Sequence, residues 1–325
     1  MGEPFPTEMV SGTEMAMPRV FRNRRPRSVC LLVLVKNEAD IIGHNIEFHL
    51  KSGVDFVIAM DNGSEDGTVE ILEKFQAMGV LKIFHEPSQD YSQAKWMTRL
   101  LREACERPDV DWLILGDADE FWCPLYGDLK DSIELERWTV LFCPSRTMMP
   151  HHMDPAAALT EDPEGFAQVC RYEDLDRSGR EYLENLADRR EELNIDWIFM
   201  EPHAKVMAQA SRLGTIEQGN HKVSGARFWQ RGRARHIEIH HYPIRSYKQF
   251  EAKVVQGGQA YERNPLLPKR MGWHWRRWYG LYQDGQLLDE YLRQVVCGES
   301  ALALLKESGQ ISERRSHFRD PQILD

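Results

Sequence analysis

Long apolar runs are scarce in this chain of 325 residues. The longest uninterrupted one, Val29–Val35, is far shorter than the roughly 20 residues that a membrane-spanning helix needs. The N-terminal residues also lack the apolar core of a secretory signal peptide. We therefore expect a cytoplasmic protein, whose contact with a membrane is at most peripheral, at the inner membrane face.

Closely spaced cysteines are also missing. The six cysteines are scattered along the chain, and no two of them form a CxxC pair. This spacing argues against a zinc ribbon or a disulfide framework, and it suits a reducing compartment.

Basic residues are outnumbered by acidic ones overall but are concentrated in one segment. The net charge is -10, yet residues 222–277 hold 13 Lys or Arg against 3 acids, by our count of the sequence. Such a segment favours an anionic ligand such as phosphate, and a solvated charged face is the alternative. A second basic cluster, "RVFRNRRPR", lies in a polar tail, residues 1–27, that we predict to be unstructured. We interpret its charge as that of a solvated arm, and contact with anionic lipid is the less favoured alternative.

From residue 28 onward, apolar strands alternate with amphipathic helices. Four buried strands are predicted at 28–35, 55–60, 80–84 and 111–116, and helices lie between them at 42–52, 68–78 and around 96–104. This alternation predicts an α/β fold, Rossmann-like, with a mostly parallel sheet flanked by helices. We expect one domain at 28–260, with halves 28–125 and 126–260, and a helical C-terminal subdomain at 261–325.

The second half of the domain is less regular. The stretch "DLDRSGREYLENLADRREEL" predicts a charged, solvated helix within residues 150–200, and "HAKVMAQ" and "ARHIEIHHY" are strand-like. In "SYKQFEAKVVQGG", Ser246 and Gln249 occupy capping-box positions, and Gly257 is expected to end the helix.

Polar residues follow three of the four predicted strands, at "KNEAD", "DNGSEDGT" and "DADEF". Ligands of parallel α/β sheets bind beyond the carboxyl ends of the strands. Asp117 and Asp119 are two apart on an extended backbone, so their carboxylates can share one side and suit Mg²⁺ or Mn²⁺. The alternative is an acidic surface loop. Turn chemistry alone explains "DNGSEDGT", although Asp61 can also accept hydrogen bonds from a base or ribose.

Histidines and cations later in the chain are further candidates. In the alternating strand "RHIEIHHYPIR", His241 shares a face with Ile237 and Ile239. It is therefore either a histidine packed in the core or a ligand of a bound group. Arg245 precedes the capped helix, where anions bind. The other candidates are His221 as a ligand and Lys205 and Lys253 as phosphate-binding cations.

Taken together, "LVKNEADIIGHNIEFHLKSGVDFVIAMDNGSEDGT", "DWLILGDADEFW", "GNH" and "HHYPIRSYKQFEAKVVQGG" resemble the family 2-like glycosyltransferases of the GT-A fold, in their bacterial branch with a "DADEF" signature. The resemblance implies a hexosyltransferase-type enzyme with a nucleotide-sugar donor and a divalent cation, Mn or Mg. It implies transfer to a hydroxyl of a glycan, lipid-linked or protein acceptor, usually with inversion. "WHWRRWY" fits stacking on sugars, and no nucleic acid is expected as partner.

The same resemblance assigns roles by position. Asp117, Asp119 and His241 would hold the metal, and the residues expected to bind the nucleotide sugar are Asn37, Glu38, Asp61, Asn62, Ser64, Lys95, Asp117 and Arg245. Asp119 and Glu120 are candidate catalytic residues, and Glu120, Asp196 and Glu201 are alternative general bases.

Two other functions stay open. A nucleotidyltransferase uses a similar sheet, but "KNEAD" has no glycine where such enzymes carry a phosphate loop. A non-catalytic nucleotide- or sugar-binding protein on the same fold remains an alternative, because the sequence shows no recognisable catalytic base.

Overall fold

The predicted alternation of strands and helices is present in the structure, a computed structural model that describes residues 23–88, 92–154, 156–172, 196–263, 272–313 and 317–318. Its first half runs β1 (Val29–Val35), α1 (Ile42–Lys51), β2 (Phe56–Asp61), α2 (Thr68–Ala77), β3 (Leu81–His85), α3 (Gln93–Cys105) and β4 (Trp112–Asp117). Glycines with positive φ, Gly53 and Gly79, follow α1 and α2, as predicted.

These four strands are paired in parallel within a seven-stranded sheet, in the order β3, β2, β1, β4. Strand β1 is apolar throughout because it is buried on both faces. Leu31 and Val33 pack into one core, and Cys30 and Leu32 pack into another on the opposite side. The predicted α/β class, a mostly parallel sheet flanked by helices, is confirmed.

Three strands from the second half extend this sheet beyond β4. They are β6 (Val140–Cys143), β9 (Lys205–Gln209) and β10 (Arg231–Arg233). Strand β9 is antiparallel to both β4 and β6. Its first residue, Lys205, therefore lies near the carboxyl end of β4, where Asp117 is the last residue.

A second sheet begins almost where β4 ends. It contains β5 (Glu120–Pro124), β7 (Ser145–His152), β8 (Gly165–Val169), β11 (Ile237–His241), β12 (Val296–Cys297) and β13 (Ile311–Ser312). Strand β11 is antiparallel to β5 and places His241 opposite Glu120. Residues 117–120 are thus the junction between the two sheets.

The remaining helices are α4 (Leu129–Leu135), α5 (Tyr247–Arg263), α6 (Trp273–Gln283), α7 (Leu287–Gln294) and α8 (Glu299–Glu307). Helices α6 to α8 follow the domain, as the prediction of a helical C-terminal part requires. The short strands β12 and β13 also join this part to β7 and β8 of the second sheet.

The predicted end of helix α5 at Gly257 is wrong, because the helix continues to Arg263. The cap itself is present, since the Ser246 hydroxyl accepts from the Gln249 backbone N–H at 3.2 Å. Gly257 lies against Trp275, and a Cβ on Gly258 would overlap the ring of Tyr279. The two glycines therefore allow α6 to pack closely against α5 rather than ending α5.

Residues 23–27 lie against the domain, where Arg25 pairs with Asp128 and Asp131, and Arg27 pairs with Asp111. The rest of the predicted unstructured tail, and the charged helix predicted within residues 174–193, lie outside the described residues. Among the helices that the structure describes, none combines the length and the apolar character needed to cross a membrane.

Candidate functional site at the junction of the two sheets

A cavity of about 1240 Å³ opens at the carboxyl ends of the parallel strands and at the sheet junction. The loop after β1, the junction residues and the first half of α5 form its polar wall. Its polar lining includes Asn37, Glu38, Asn62, Asp117, Asp119, Glu120, Glu201, Lys205, His221, His241 and Lys253. A cavity at this edge is the expected ligand site of such a sheet.

Asp117 ends β4 and is held from two sides. Its Oδ2 lies 2.5 Å from Lys205 Nζ, and its Oδ1 accepts from Asn220 Nδ2 at 3.2 Å. Asn220 is fully buried and has a positive φ of 60°, a conformation that asparagine tolerates better than most residues. Asp117 therefore presents its carboxylate at a fixed place on the cavity wall.

Glu120 fixes the turn between the two aspartates. Its Oε2 accepts from the Asp117 backbone N–H at 3.1 Å, and its Oε1 lies 3.1 Å from Lys205 Nζ. Burial raises the pKa of Glu120 to about 7, although Lys205 opposes the shift. Burial alone would lower the pKa of Lys205, but Asp117 and Glu120 outweigh it and raise that pKa.

Asp119 faces three cationic or titratable side chains. Its Oδ2 is hydrogen-bonded to Lys253 and lies 3.8 Å from Arg245 Nη1, and its Oδ1 lies 3.7 Å from His241 Nε2. Burial would raise the pKa of Asp119, but Lys253, His241 and Arg245 hold it well below its usual range. Asp119 is therefore ionised at neutral pH.

Glu38, after β1, completes the cluster through Arg245. Arg245 Nη2 donates to Glu38 Oε2 at 2.6 Å, and the same guanidinium binds Asp40 at 2.6 and 2.9 Å. Lys253 Nζ lies 3.2 Å from Glu38 Oε1. Burial raises the pKa of Glu38 despite Lys253 and Arg245.

The cluster contains more negative than positive groups. Lys205, Arg245 and Lys253 face five carboxylates, namely Glu38, Asp40, Asp117, Asp119 and Glu120. Three permanent cations against five acids leave an excess of two negative charges when all the acids are ionised, before His241 is considered. Three of the five acids, Glu38, Asp119 and Glu120, are buried, and buried carboxyl groups that outnumber their cations favour a bound cation or protonation.

The residues predicted to bind the nucleotide sugar divide into two groups. Asn37, Glu38, Asn62 and Asp117 line the cavity, whereas Asp61, Ser64, Lys95 and Arg245 are not part of its lining. Asp61 accepts hydrogen bonds from the backbone N–H groups of Gly63 and Ser64, and the Ser64 hydroxyl accepts from the Asn37 N–H. Lys95 is exposed on α3, and Arg245 lies behind the carboxylates as an ion-pair partner.

The three candidate bases also differ in position. Glu120 is buried, with both carboxylate oxygens bonded as described above. Asp196 precedes a short 3-10 helix at Trp197–Phe199 and does not line the cavity. Glu201 is exposed and lines the cavity. Its position leaves Glu201 the most accessible of the three to a ligand in the cavity.

Aromatic side chains form another part of the cavity lining. Trp197, Trp273, Trp275 and Tyr282 line the cavity, and His274 packs against Trp197 with ring centroids 5.3 Å apart. Burial lowers the pKa of His274 to about 3, so its ring is neutral. Trp273 and Trp275 of this lining come from the "WHWRRWY" segment, whose aromatic residues fit stacking on sugars.

Sequence reasoning missed the roles of Asp40 and Asn220, and it assigned Lys205 and Lys253 to phosphate rather than to the acids. Asp40 and Asn220 lie in "KNEAD" and "GNH", both of which were singled out as motifs. Their partners, Arg245 and Asp117, are more than 100 residues away. Only the fold brings them together.

No protein-family model matches the chain, and no curated protein matches it either. Among solved structures, it is similar to S. aureus TarS 1-349 in complex with UDP-GlcNAc, at 12% identity and a TM-score of 0.37 over 85% of this chain and 83% of that chain. It is also similar to glucosyl-3-phosphoglycerate synthase from Mycobacterium tuberculosis in complex with Mn²⁺ and UDP-glucose, at 18% identity and a TM-score of 0.29 over 57% of each chain.

In a further alignment, to TarS 1-349 in complex with UDP, the identity is 15% and the TM-score 0.32, over 57% of this chain and 47% of that chain. This chain therefore spans less than half of that structure's length in that alignment. The likeness is loose, and it assigns no activity to this chain.

Proposed function

We propose that the protein is a glycosyltransferase that moves a sugar from a nucleotide-diphosphate sugar to an acceptor hydroxyl, with a divalent cation and with inversion. The observation that carries the proposal is the cavity at the sheet junction, where carboxyl groups outnumber the permanent cations and lie beside two lysines. A metal-bound diphosphate supplies the opposite charges that both sets of groups need.

Asp119 and His241 fit a divalent cation. Asp119 Oδ1 and His241 Nε2 lie 3.7 Å apart, and both residues line the cavity. Carboxylate oxygen suits Mg²⁺ and Mn²⁺, and imidazole nitrogen is a common ligand of transition metals, so the pair favours Mn²⁺. When bound, this ion stabilises the negative charge of the leaving diphosphate. Asp117, already bonded to Lys205 and Asn220, is assigned to the ion or to the ribose.

Lys205 and Lys253 supply positive charge to the same leaving group. Each now bonds a carboxylate at the cavity wall, and neither is fully enclosed, since 8% and 23% of their side chains are exposed. Fixed cations next to a developing diphosphate stabilise the transition state without reorganisation of solvent. The nucleoside is then assigned to the wall formed by Asn37, Glu38 and Asn62.

Glu201 is our choice of general base, because it is the candidate at the accessible side of the cavity. It removes the proton from the acceptor hydroxyl, whose oxygen attacks the anomeric carbon as the nucleoside diphosphate leaves. Such a single displacement inverts the anomeric configuration. The aromatic wall at Trp197, Trp273 and Trp275 offers apolar faces for the acceptor.

The first test is calorimetric titration of UDP and GDP, with and without Mn²⁺, into wild type, Asp119→Asn and Asp55→Asn. Asp55 is the matched control, because its carboxylate pairs with Lys130 and does not line the cavity. We expect one nucleotide to bind in a Mn²⁺-dependent manner, and Asp119→Asn to weaken that binding about 100-fold or more. The control variant is expected to bind like wild type.

Absence of nucleotide binding in wild type would remove the proposed function altogether. Binding that is equally strong without Mn²⁺ and in Asp119→Asn would remove the metal role alone.

Catalysis requires a second measurement, because a non-catalytic protein could also bind the nucleotide in a Mn²⁺-dependent manner. Glu201→Gln is expected to bind the donor like wild type but to lower transfer by roughly 10²–10⁴-fold, the usual contribution of a general base. Asp196→Asn is the control, and it should transfer at the wild-type rate. Release of pyrophosphate from a nucleoside triphosphate and a sugar phosphate would instead identify a nucleotidyltransferase.

A further inference from the structure

A second group of metal-ligating side chains lies away from the cavity. Cys123 on β5, His240 on β11 and His317 near the C-terminal end each offer one ligand atom, and these three atoms lie within 4.8 Å of one another. Side chains alternate along a strand, so His240 points to the face of β11 opposite to that of His241. The group is therefore separated from the Asp119–His241 pair by the second sheet.

His240 is arranged as a metal-binding histidine usually is. Its Nε2 lies 3.2 Å from Glu238 Oε1, and Arg146 Nε lies 3.6 Å from the other carboxylate oxygen of Glu238. A carboxylate on one ring nitrogen fixes the tautomer and leaves the other nitrogen for the metal. That other nitrogen, Nδ1, is buried and has no hydrogen-bond partner among the described residues, in a side chain that is only 5% exposed.

The other two residues are held in place by their surroundings. The Cys123 thiol points toward the Phe121 carbonyl oxygen at 3.3 Å. The His317 ring stacks on His240 with centroids 5.1 Å apart, and its backbone N–H donates to the Tyr242 hydroxyl at 3.0 Å. His317 is partly exposed, so an ion from solvent can reach the group.

We propose that Cys123, His240 and His317 form a zinc site that fastens the C-terminal residues to the second sheet. One thiolate and two imidazoles are a zinc ligand set, whereas Mg²⁺ and Mn²⁺ prefer oxygen. Ligand atoms around tetrahedral zinc lie about 3.5 Å apart, so no pair of the three atoms, which lie within 4.8 Å of one another, needs to close by more than about 1.3 Å. A water molecule completes a site with three protein ligands.

The site would join parts of the chain that are far apart in sequence. Cys123 and His240 belong to neighbouring strands, but His317 is reached only after α8 and β13. Phe318 packs next to it in the core, against Phe166 and Tyr242. Zinc coordination by His317 therefore adds to the aromatic packing of Phe318, and the binding energy of zinc stabilises the folded chain.

The test uses the untagged full chain after treatment with a chelator, titrated with Co²⁺ and then with Zn²⁺ against a competing chelator. In wild type, one Co²⁺ equivalent is expected to give the near-ultraviolet thiolate-to-cobalt band and the visible bands of tetrahedral cobalt, and an ion in the cavity, which has no thiolate ligand, is expected not to add to the thiolate band. Cys123→Ala should abolish the thiolate band, and Cys105→Ala, an exposed cysteine elsewhere, should leave it unchanged. Glu238→Gln should weaken zinc binding about 10–100-fold.

Two further variants keep the outcome clear. His317→Ala, at a partly exposed position, should lose the tetrahedral spectrum even if Cys123→Ala fails to fold. Asp119→Asn should keep it, because the cavity ligands belong to the other face of the sheet. A wild-type protein without the thiolate band, or zinc affinity that is equal in wild type, Cys123→Ala and His317→Ala, would overturn the proposal.

Discussion

Two clusters of buried charge in this protein differ in what surrounds them. In the C-terminal helices, Arg277 Nη1 lies 2.8 Å from Glu290 Oε1, and the two side chains are only 4% and 2% exposed. Glu290 also accepts from Trp278 Nε1 at 2.8 Å and from Gln294 Nε2 at 3.1 Å. At the sheet junction, by contrast, five carboxylates face three permanent cations, and all of these residues except Asp40 and Arg245 line a cavity.

The difference shows that buried charge alone does not identify a functional site. The Arg277–Glu290 pair does not line the cavity, and the Glu290 carboxylate is balanced by Arg277 and by the donors Trp278 and Gln294. The junction cluster has more carboxyl groups than permanent cations, and it has an opening through which a ligand can reach them. Excess charge together with an opening is therefore the better indicator.

The largest expected effect is on the free energy of unfolding when the buried Arg277–Glu290 pair is broken. Glu290→Ala leaves Arg277 buried without this carboxylate, and breaking a buried pair in this way costs about 3–5 kcal/mol. We expect urea unfolding to show a loss of that size, while nucleotide binding by the folded protein stays at the wild-type level. A variant that kept its stability but lost nucleotide binding would contradict the distinction between the two clusters.

The paired control is Glu103→Gln, which removes the partner of Lys82 at the surface. This pair has an N–O distance of 3.0 Å, but the side chains are 51% and 27% exposed. Exposed pairs contribute about 0–1 kcal/mol. Equal losses in Glu290→Ala and Glu103→Gln would show that burial does not set the energy of the helical pair.

A smaller effect is expected from the protonation of Glu120. Its pKa is raised from 4.5 to about 7 by burial, so the folded state binds more protons than the unfolded state between these values. Stability from this group therefore falls as pH rises from 4.5 to 7, by up to about 3 kcal/mol. The difference in unfolding free energy between wild type and Glu120→Gln should show this dependence on pH. Groups that titrate in the same way in both proteins do not contribute to the difference. A difference that is constant from pH 4.5 to 8 would contradict the burial effect.

Much of the first half of the fold could be predicted from sequence because its signals are local. The apolar run at Val29–Val35 and the helical spacing of Val69, Leu72 and Phe75 each need only a few neighbouring residues to be recognised. The end of α5 could not be predicted in this way. Gly257 ends a helix by local rules, but here the approach of α6 determines its role.

The same distinction applies to the candidate site. The carboxylates after β1 and β4 were visible because strand ends of a parallel sheet converge. Their partners were not, since Lys205 is 88 residues from Asp117 and Lys253 is 134 residues from Asp119. The group at Cys123, His240 and His317 shows the same limit, because no spacing in the sequence joins these residues.

The smallest expected effect distinguishes two lysines that were both candidates for ligand binding, Lys95 for the nucleotide sugar and Lys253 for phosphate. Lys253 lies on the cavity wall and bonds Asp119, whereas Lys95 is exposed on α3 and does not line the cavity. If the Lys253 ammonium group pairs with the diphosphate of the bound ligand, Lys253→Gln should weaken binding of a nucleoside diphosphate about tenfold, or about 1.4 kcal/mol. Nucleoside monophosphate should lose less, because it lacks the outer phosphate.

Lys95→Gln is the matched control, with the same change of side chain, and it should bind both nucleotides like wild type. Calorimetric titration in Mn²⁺ at constant ionic strength measures all three proteins, because salt screens distant charges more than contacts. Equal losses in Lys95→Gln and Lys253→Gln would mean that the ligand senses only the total charge of the protein. The junction cluster would then resemble the buried Arg277–Glu290 pair, because its cations would neutralise the neighbouring carboxylates and would not bind a ligand.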